Sequence, residues 1–197
     1  MIMSMTANEQ MHDNLTVSLG FWIYLMTDCL LFASLFATYA VLTGGTAGSV
    51  SGRQIFDIGF VLTETILLLT SSMTSGLAYV EARAGRRNRS LVYLAITIAL
   101  GASFLVMELS EFSHLVSEGY GWQVSAFLSA FFTLVGTHGL HIASGLIWAL
   151  TLVVLIMKRG LTHDTTKKLM LFTLFWHFLD VIWICIFTFV YAFGVLS

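Results

Sequence analysis

The sequence predicts an all-α polytopic membrane protein, a bundle of five transmembrane helices. Three observations carry this reading. Of the 197 residues 57% are hydrophobic and only 10% charged, where a soluble domain carries about 25% charge to wet its surface. The mean hydropathy is +0.87. Five apolar runs are long enough to cross a hydrocarbon core of about 30 Å, which takes about 20 helical residues. The same balance, with a net charge of −2, excludes a soluble globular domain, a disordered chain and a basic nucleic-acid binder.

Residues 1–19 read as a cytoplasmic N-terminal tail, with no basic stretch ahead of a short apolar core and hence no cleavable signal peptide. Residues 20–197 form the five-helix transmembrane domain. The first run is 20–42, GFWIYLMTDCLLFASLFATYAVL; the others are 58–80, 91–110, 124–157 and 170–195. Backbone polar groups in lipid must be satisfied within the segment, so each run is a helix. Proline is absent, and nothing forces a break. The fourth run exceeds an upright crossing and must tilt or project beyond the membrane. The connection 43–57 is rich in Gly, Ser and Thr and reads as a turn region.

Basic residues set the orientation. Arg83, Arg86, Arg87, Arg89, Lys158, Arg159, Lys167 and Lys168 fall on the side of the N-terminal tail, and Arg53 alone falls opposite. This bias predicts a cytoplasmic N-terminus and a C-terminus on the far side. Trp22, Tyr24, Tyr79, Tyr93, Tyr120, Trp122 and Tyr191 lie near span ends, as interfacial aromatic belts do. Cys29 and Cys185 sit in apolar runs without a paired spacing and read as buried thiols. Small residues four apart (Cys29, Ala33 and Ala37; Ser72 and Gly76; Gly139 and Ala143) suit close helix packing.

The candidate functional residues are the polar ones inside the spans: Asp28, Glu64, Glu108, Glu111, His114, His138, His141, His177 and Asp180. A charge at mid-bilayer costs roughly 2.5–3.5 kcal/mol even on the mild scale, so such residues need a reason. Glu108/Glu111, Glu111/His114, His138/His141 and His177/Asp180 are spaced to share a helix face. Three readings follow. Glu111 and His114 have the Glu-x-x-His spacing of di-iron bundles, and the histidine pair facing His177 and Asp180 could add metal ligands. The groups could relay protons, as in a carrier or channel. Or they tie helices together by hydrogen bonds. Depth divides them into two layers. Asp28, His138, His141, His177 and Asp180 lie centrally or toward the cytoplasmic side. Glu64, Glu108, Glu111 and His114 lie toward the outer face.

At these residues the sequence resembles a known family. The first span, MELSEF at 107–112, SAFFTLVGTHGLHIASGLIW at 129–148 and LFWHFLDVIWICIFTFVYAFG at 174–194 are similar to subunit III of the haem-copper terminal oxidases. The similarity is closest to the five-helix form of bacterial cytochrome o ubiquinol oxidase, since the two extra N-terminal helices of the seven-helix form are missing here. The resemblance implies a bacterial inner-membrane subunit without a redox centre or metal of its own. Haem and copper would reside in partner subunit I, with ubiquinol as substrate of the complex, subunits II and IV as further neighbours, and phospholipids bound. It places Asp28 at the family's intramembrane carboxylate, often Glu in relatives. Glu111 falls at its third-span acid, His138 and His141 at its paired histidines, and His177 and Asp180 at its last-helix His-x-x-Asp. Glu64 and Glu108 are placed less closely. On this reading the chain stabilises subunit I; the rival readings are subunit III of a cytochrome c oxidase and a stand-alone di-metal membrane oxidase using Glu64, Glu111, His114, His138, His141, His177 and Asp180.

Overall fold

The structure, a computed structural model, describes residues 2–45, 58–192 and 194. They form α1 (Ile2–Leu42), α2 (Ile58–Arg83), α3 (Arg87–Ser117), α4 (Ala126–Arg159) and α5 (His163–Ile186), which runs on into a π-helical segment, Phe187–Ala192. No strand occurs among the described residues. All five helices are long and apolar enough to cross a membrane. Arg53 and most of the 43–57 connection lie outside the described residues.

The helices outrun the apolar stretches that announce them. α1 begins at Ile2, so the helix continues back through the polar segment 2–19. α5 begins at His163 instead of 170 because Thr162 and Thr165 cap it reciprocally. The Thr162 hydroxyl accepts from the Thr165 N–H at 3.2 Å, and the Thr165 hydroxyl accepts from the Thr162 N–H at 2.7 Å. α4 has 34 residues, about 50 Å at 1.5 Å per residue, and overshoots the hydrocarbon core. Its N-terminus is capped by the Ser125 hydroxyl, which accepts from the Leu128 N–H at 3.2 Å. Its C-terminus ends on Gly160 at φ 72°, a left-handed conformation that a side chain would strain.

The two turns on the side of the N-terminal segment are fastened by the basic residues. Arg86 pairs with Glu81 at 2.9 Å. Arg87 donates to the Met157 carbonyl at 2.7 Å, one of the carbonyls left free at the C-terminal end of α4. The Ser90 hydroxyl donates to the Ala78 carbonyl at 2.9 Å and closes the α2–α3 hairpin.

α5 is the central helix. Leu169, Phe172, Trp176, Leu179, Trp183, Ile186 and Val190 are buried along one stripe, and the helix packs on α1, α2 and α4. Two tryptophans on that stripe dock on α2. The Trp176 indole N–H donates to the Ser71 hydroxyl at 3.0 Å, which itself donates to the Thr97 carbonyl of α3 at 3.2 Å. The Trp183 N–H donates to the Thr65 hydroxyl at 3.0 Å. Lipid tails are as apolar as leucine, so these bonds and ring contacts do what water exclusion does in a soluble core. Trp183→Phe keeps the ring but removes the donor. It is expected to cost about 1 kcal/mol, read as a lowered unfolding midpoint in detergent, with Thr65→Val adding little in the double variant.

α1 is peripheral. Among its residues of described burial, 16–42, only Leu25, Asp28, Phe32 and Tyr39 are buried. Its small-residue stripe is not the packing seam that the spacing suggests: Cys29, Ala33 and Ala37 are exposed. Ala33 and Ala37 line an open apolar groove beside Cys185 and Phe189. Cys29 is therefore outward-facing and Cys185 half-buried, where the sequence suggested two buried thiols. The spacing was right for a stripe but silent on which way it faces.

Candidate functional site

Between α1 and α4, His141 Nε2 lies 3.1 Å from Asp28 Oδ1. Asp28 is buried and His141 half-buried. His141 Nδ1 sits 2.7 Å from the Thr137 carbonyl. A carbonyl can only accept, so Nδ1 carries a proton. The bond to Asp28 then needs one further proton, held by Nε2 or by the carboxyl, and the pair is neutral overall in either arrangement. Phe32 of α1 packs on the His141 ring with centroids 5.3 Å apart.

One turn earlier, His138 is fully buried. Its ring stacks on Trp183 at 5.2 Å and 29° and meets the edge of Phe104 at 6.0 Å. Neither ring nitrogen has a hydrogen-bond partner. The paired histidines thus do different work: His141 reaches α1, and His138 is part of an aromatic stack joining α3, α4 and α5.

His177 and Asp180 also diverge. His177 is exposed, and its Nδ1 donates to the Thr173 carbonyl of its own helix at 2.7 Å. Its ring runs along Gly76 of α2, where an added Cβ would lie 3.7 Å from Cε1. Asp180 is buried, its Oδ1 has no hydrogen-bond partner, and Ser72 of α2 and His177 are both near enough to act on it electrostatically. The nearness of Ser72 is invisible to a reading that looks three residues along one helix.

The second layer lies at the opposite end of the bundle from the Arg- and Lys-bearing turns. Glu64 and Glu108 are buried, with no hydrogen-bond partner on either oxygen of either carboxyl. Glu111 accepts from the Tyr191 hydroxyl at 3.1 Å. Glu64 and Glu111 act electrostatically on Glu108, and all three act on Tyr191. Tyr191 is therefore no interfacial belt residue. It is fully buried, turned inward by the π-helical segment. His114 stands apart, exposed and 3.7 Å from Glu118, so the Glu111–His114 spacing does not produce a ligand pair. Among the described residues no three His, Cys, Asp or Glu side chains converge as a metal site. The set Glu64, Glu111, His114, His138, His141, His177 and Asp180 is not brought together, and these residues do not fit a di-metal centre.

Sequence reasoning missed the neutral hydrogen-bond partners Thr65, Ser71 and Thr97, and Gly101 and Gly145, which lie against the Trp176 ring. One signal was available, since Trp176 and Trp183 stand seven apart and fall on one helix face.

Comparison with known proteins places this arrangement. The cytochrome c oxidase subunit III family matches residues 3–195. The chain is 55% identical over 177 residues to cytochrome bo(3) ubiquinol oxidase subunit 3 of Pseudomonas aeruginosa, covering 90% of this chain and 85% of that one. It is 54% identical over 187 residues to the protein of the same name from Pseudomonas putida, covering 94% and 90%. It is 46% identical over 179 residues to cytochrome c oxidase subunit 3 of Bacillus sp. strain PS3, covering 91% and 86%. A five-helix bundle whose intramembrane polar residues join helices, matched over nearly its whole length, belongs to the cytochrome c oxidase subunit III family.

Proposed function

We propose that the chain is the non-redox subunit III of a proton-pumping haem-copper ubiquinol oxidase in a bacterial inner membrane. The observation that carries this is identity above one half, along at least nine-tenths of the chain, to two proteins named ubiquinol oxidase subunit 3. The complex would oxidise ubiquinol and reduce oxygen to water, with haem and copper in subunit I. This chain contributes a helical wall that stabilises subunit I, binds phospholipid, and neighbours subunits II and IV. Its basic turns would face the cytoplasm, with the N-terminus, and its C-terminus the periplasm. Two features support a structural role. The intramembrane groups Asp28, Glu111 and His141 hydrogen-bond groups on neighbouring elements, and large apolar side chains cover the outside of the bundle.

Purification through a tag on this chain, in mild detergent, tests the reading. A large many-helix subunit carrying haem should co-purify, with oxygen uptake driven by ubiquinol. A chain that purifies alone, or carries haem itself, contradicts it. The Bacillus relative named as a cytochrome c oxidase subunit supports a second reading, in which reduced cytochrome c drives oxygen uptake in the same preparation and ubiquinol does not.

A further inference from the structure

The carboxyls of Glu64 and Glu108 face no partner, yet they are among the most deeply buried groups in the molecule. Glu64 is 0% exposed and Glu108 2%. The place is built to admit them. Gly139 of α4 lies directly against the Glu108 carboxyl, and a Cβ there would stand 2.8 Å from Oε1 and 3.1 Å from Oε2. Any other residue would drive that carboxyl away. On the far side the π-helical segment Phe187–Ala192 shifts the phase of the last helix. It brings a fully buried Tyr191 to donate its hydroxyl hydrogen to Glu111. Such π-helical turns occur often at functional positions.

The charge balance is one-sided. α2 contributes Glu64, α3 contributes Glu108 and Glu111, and the π-helical segment contributes Tyr191. α4 contributes Gly139 and, one residue away in the aromatic stack, His138. The Lys and Arg residues of these helices (Arg83, Arg87, Arg89, Lys158, Arg159, Lys167 and Lys168) all lie at the opposite ends. Buried carboxylates without a counter-ion are costly in a low-dielectric interior. Buried polar atoms that lack a protein partner are commonly satisfied by internal water. A metal ion would need convergent ligands, and the described residues offer none.

We infer that Glu64, Glu108, Glu111 and Tyr191, with Gly139 as one wall, form a buried hydrated site that binds exchangeable protons. Tyr191 keeps its hydroxyl proton and directs it at Glu111. The bound protons are shared, through water, between the carboxyls of Glu64 and Glu108. No bond other than O–H is made or broken. The site goes beyond the subunit's proposed structural role and does not depend on which electron donor the complex uses.

Infrared spectroscopy of the purified protein in its native assembly tests this. At neutral pH the unsubstituted protein should show a protonated carboxylic C=O band that moves on carbon-13 labelling of glutamate and in heavy water. Glu64→Gln and Glu108→Gln should each remove part of that band and leave the thermal midpoint unchanged, because Gln mimics a neutral carboxyl in shape. Gly139→Ala should shift the band, and it assigns the signal if a Gln variant does not accumulate. Absence of the band from the unsubstituted protein overturns the inference. So does a band untouched in all variants that accumulate, or a stoichiometric metal ion that disappears in Glu108→Gln.

Discussion

Gly145→Ala destabilises the bundle by about 1–3 kcal/mol, the usual range for an added methylene in a packed interior. The helix itself would favour the change, since Ala is a better helix former than Gly by about 1 kcal/mol. Packing decides the sign. A Cβ at residue 145 would lie 2.7 Å from Trp176 Cζ3, 3.0 Å from Cε3 and 3.2 Å from Phe175 Cε1. The indole cannot retreat. Gly101 of α3 closes its other side, where a Cβ would lie 2.8 Å from Cζ2, and the Ser71 hydroxyl holds its N–H at 3.0 Å. One ring therefore joins α2, α3, α4 and α5, and the two glycines are the slots that receive it. Gly101→Ala should behave alike. Gly20→Ala is the control: nothing lies within 4 Å of a Cβ there, and the helix should be unharmed or slightly firmer. Unfolding midpoints of the purified protein in one detergent measure all three. Trp176→Phe removes the ring atoms that collide, so it should offset part of the Gly145→Ala loss, and the double variant should cost less than the sum of the singles. A Gly145→Ala protein as stable as the parent would mean that the indole is not clamped.

The spans were legible in the sequence because lipid imposes one rule on every residue that touches it. Side chains such as Leu30, Ile66, Val106, Leu140 and Val181, exposed on the finished bundle, give the hydropathy signal directly. Helix ends were less legible, since the Thr162–Thr165 cap is polar and short and a hydropathy window averages it away. The polar residues themselves were evident; their partners were not. Spacing along one helix reports only neighbours on that helix, and it suggested His177 with Asp180. The bonds that join helices link Asp28 to His141 and Trp183 to Thr65, residues far apart in the chain. Tyr191 was misjudged for a different reason. Its place near a span end suggested an interfacial ring, but the π-helical segment rotates it inward, and sequence periodicity assumes 3.6 residues per turn throughout.

Asp28→Leu weakens the attachment of α1 by about 1–3 kcal/mol, the cost of leaving the other member of a buried hydrogen bond without its partner. The bond itself is worth less. Interhelical hydrogen bonds in membranes average about 0.6 kcal/mol in double-mutant cycles, so most of the loss comes from the orphaned His141 Nε2. α1 is the helix for which this matters most, because among its residues of described burial it buries only Leu25, Asp28, Phe32 and Tyr39. The proton count separates two conservative changes. Nδ1 of His141 is committed to the Thr137 carbonyl at 2.7 Å, so the bond to residue 28 requires one proton from one side or the other. An Asn amide can supply that proton to Nε2, and Asp28→Asn should lose less than half of what Asp28→Leu loses. His141→Leu should match Asp28→Leu, and Asp28→Leu with His141→Leu should cost less than the two singles together, since neither polar group is then stranded. Protease sensitivity of α1 in the assembled protein and its unfolding midpoint read the same ordering. Equal losses in the Asn and Leu variants would show that the proton between these residues contributes nothing to holding α1 in place.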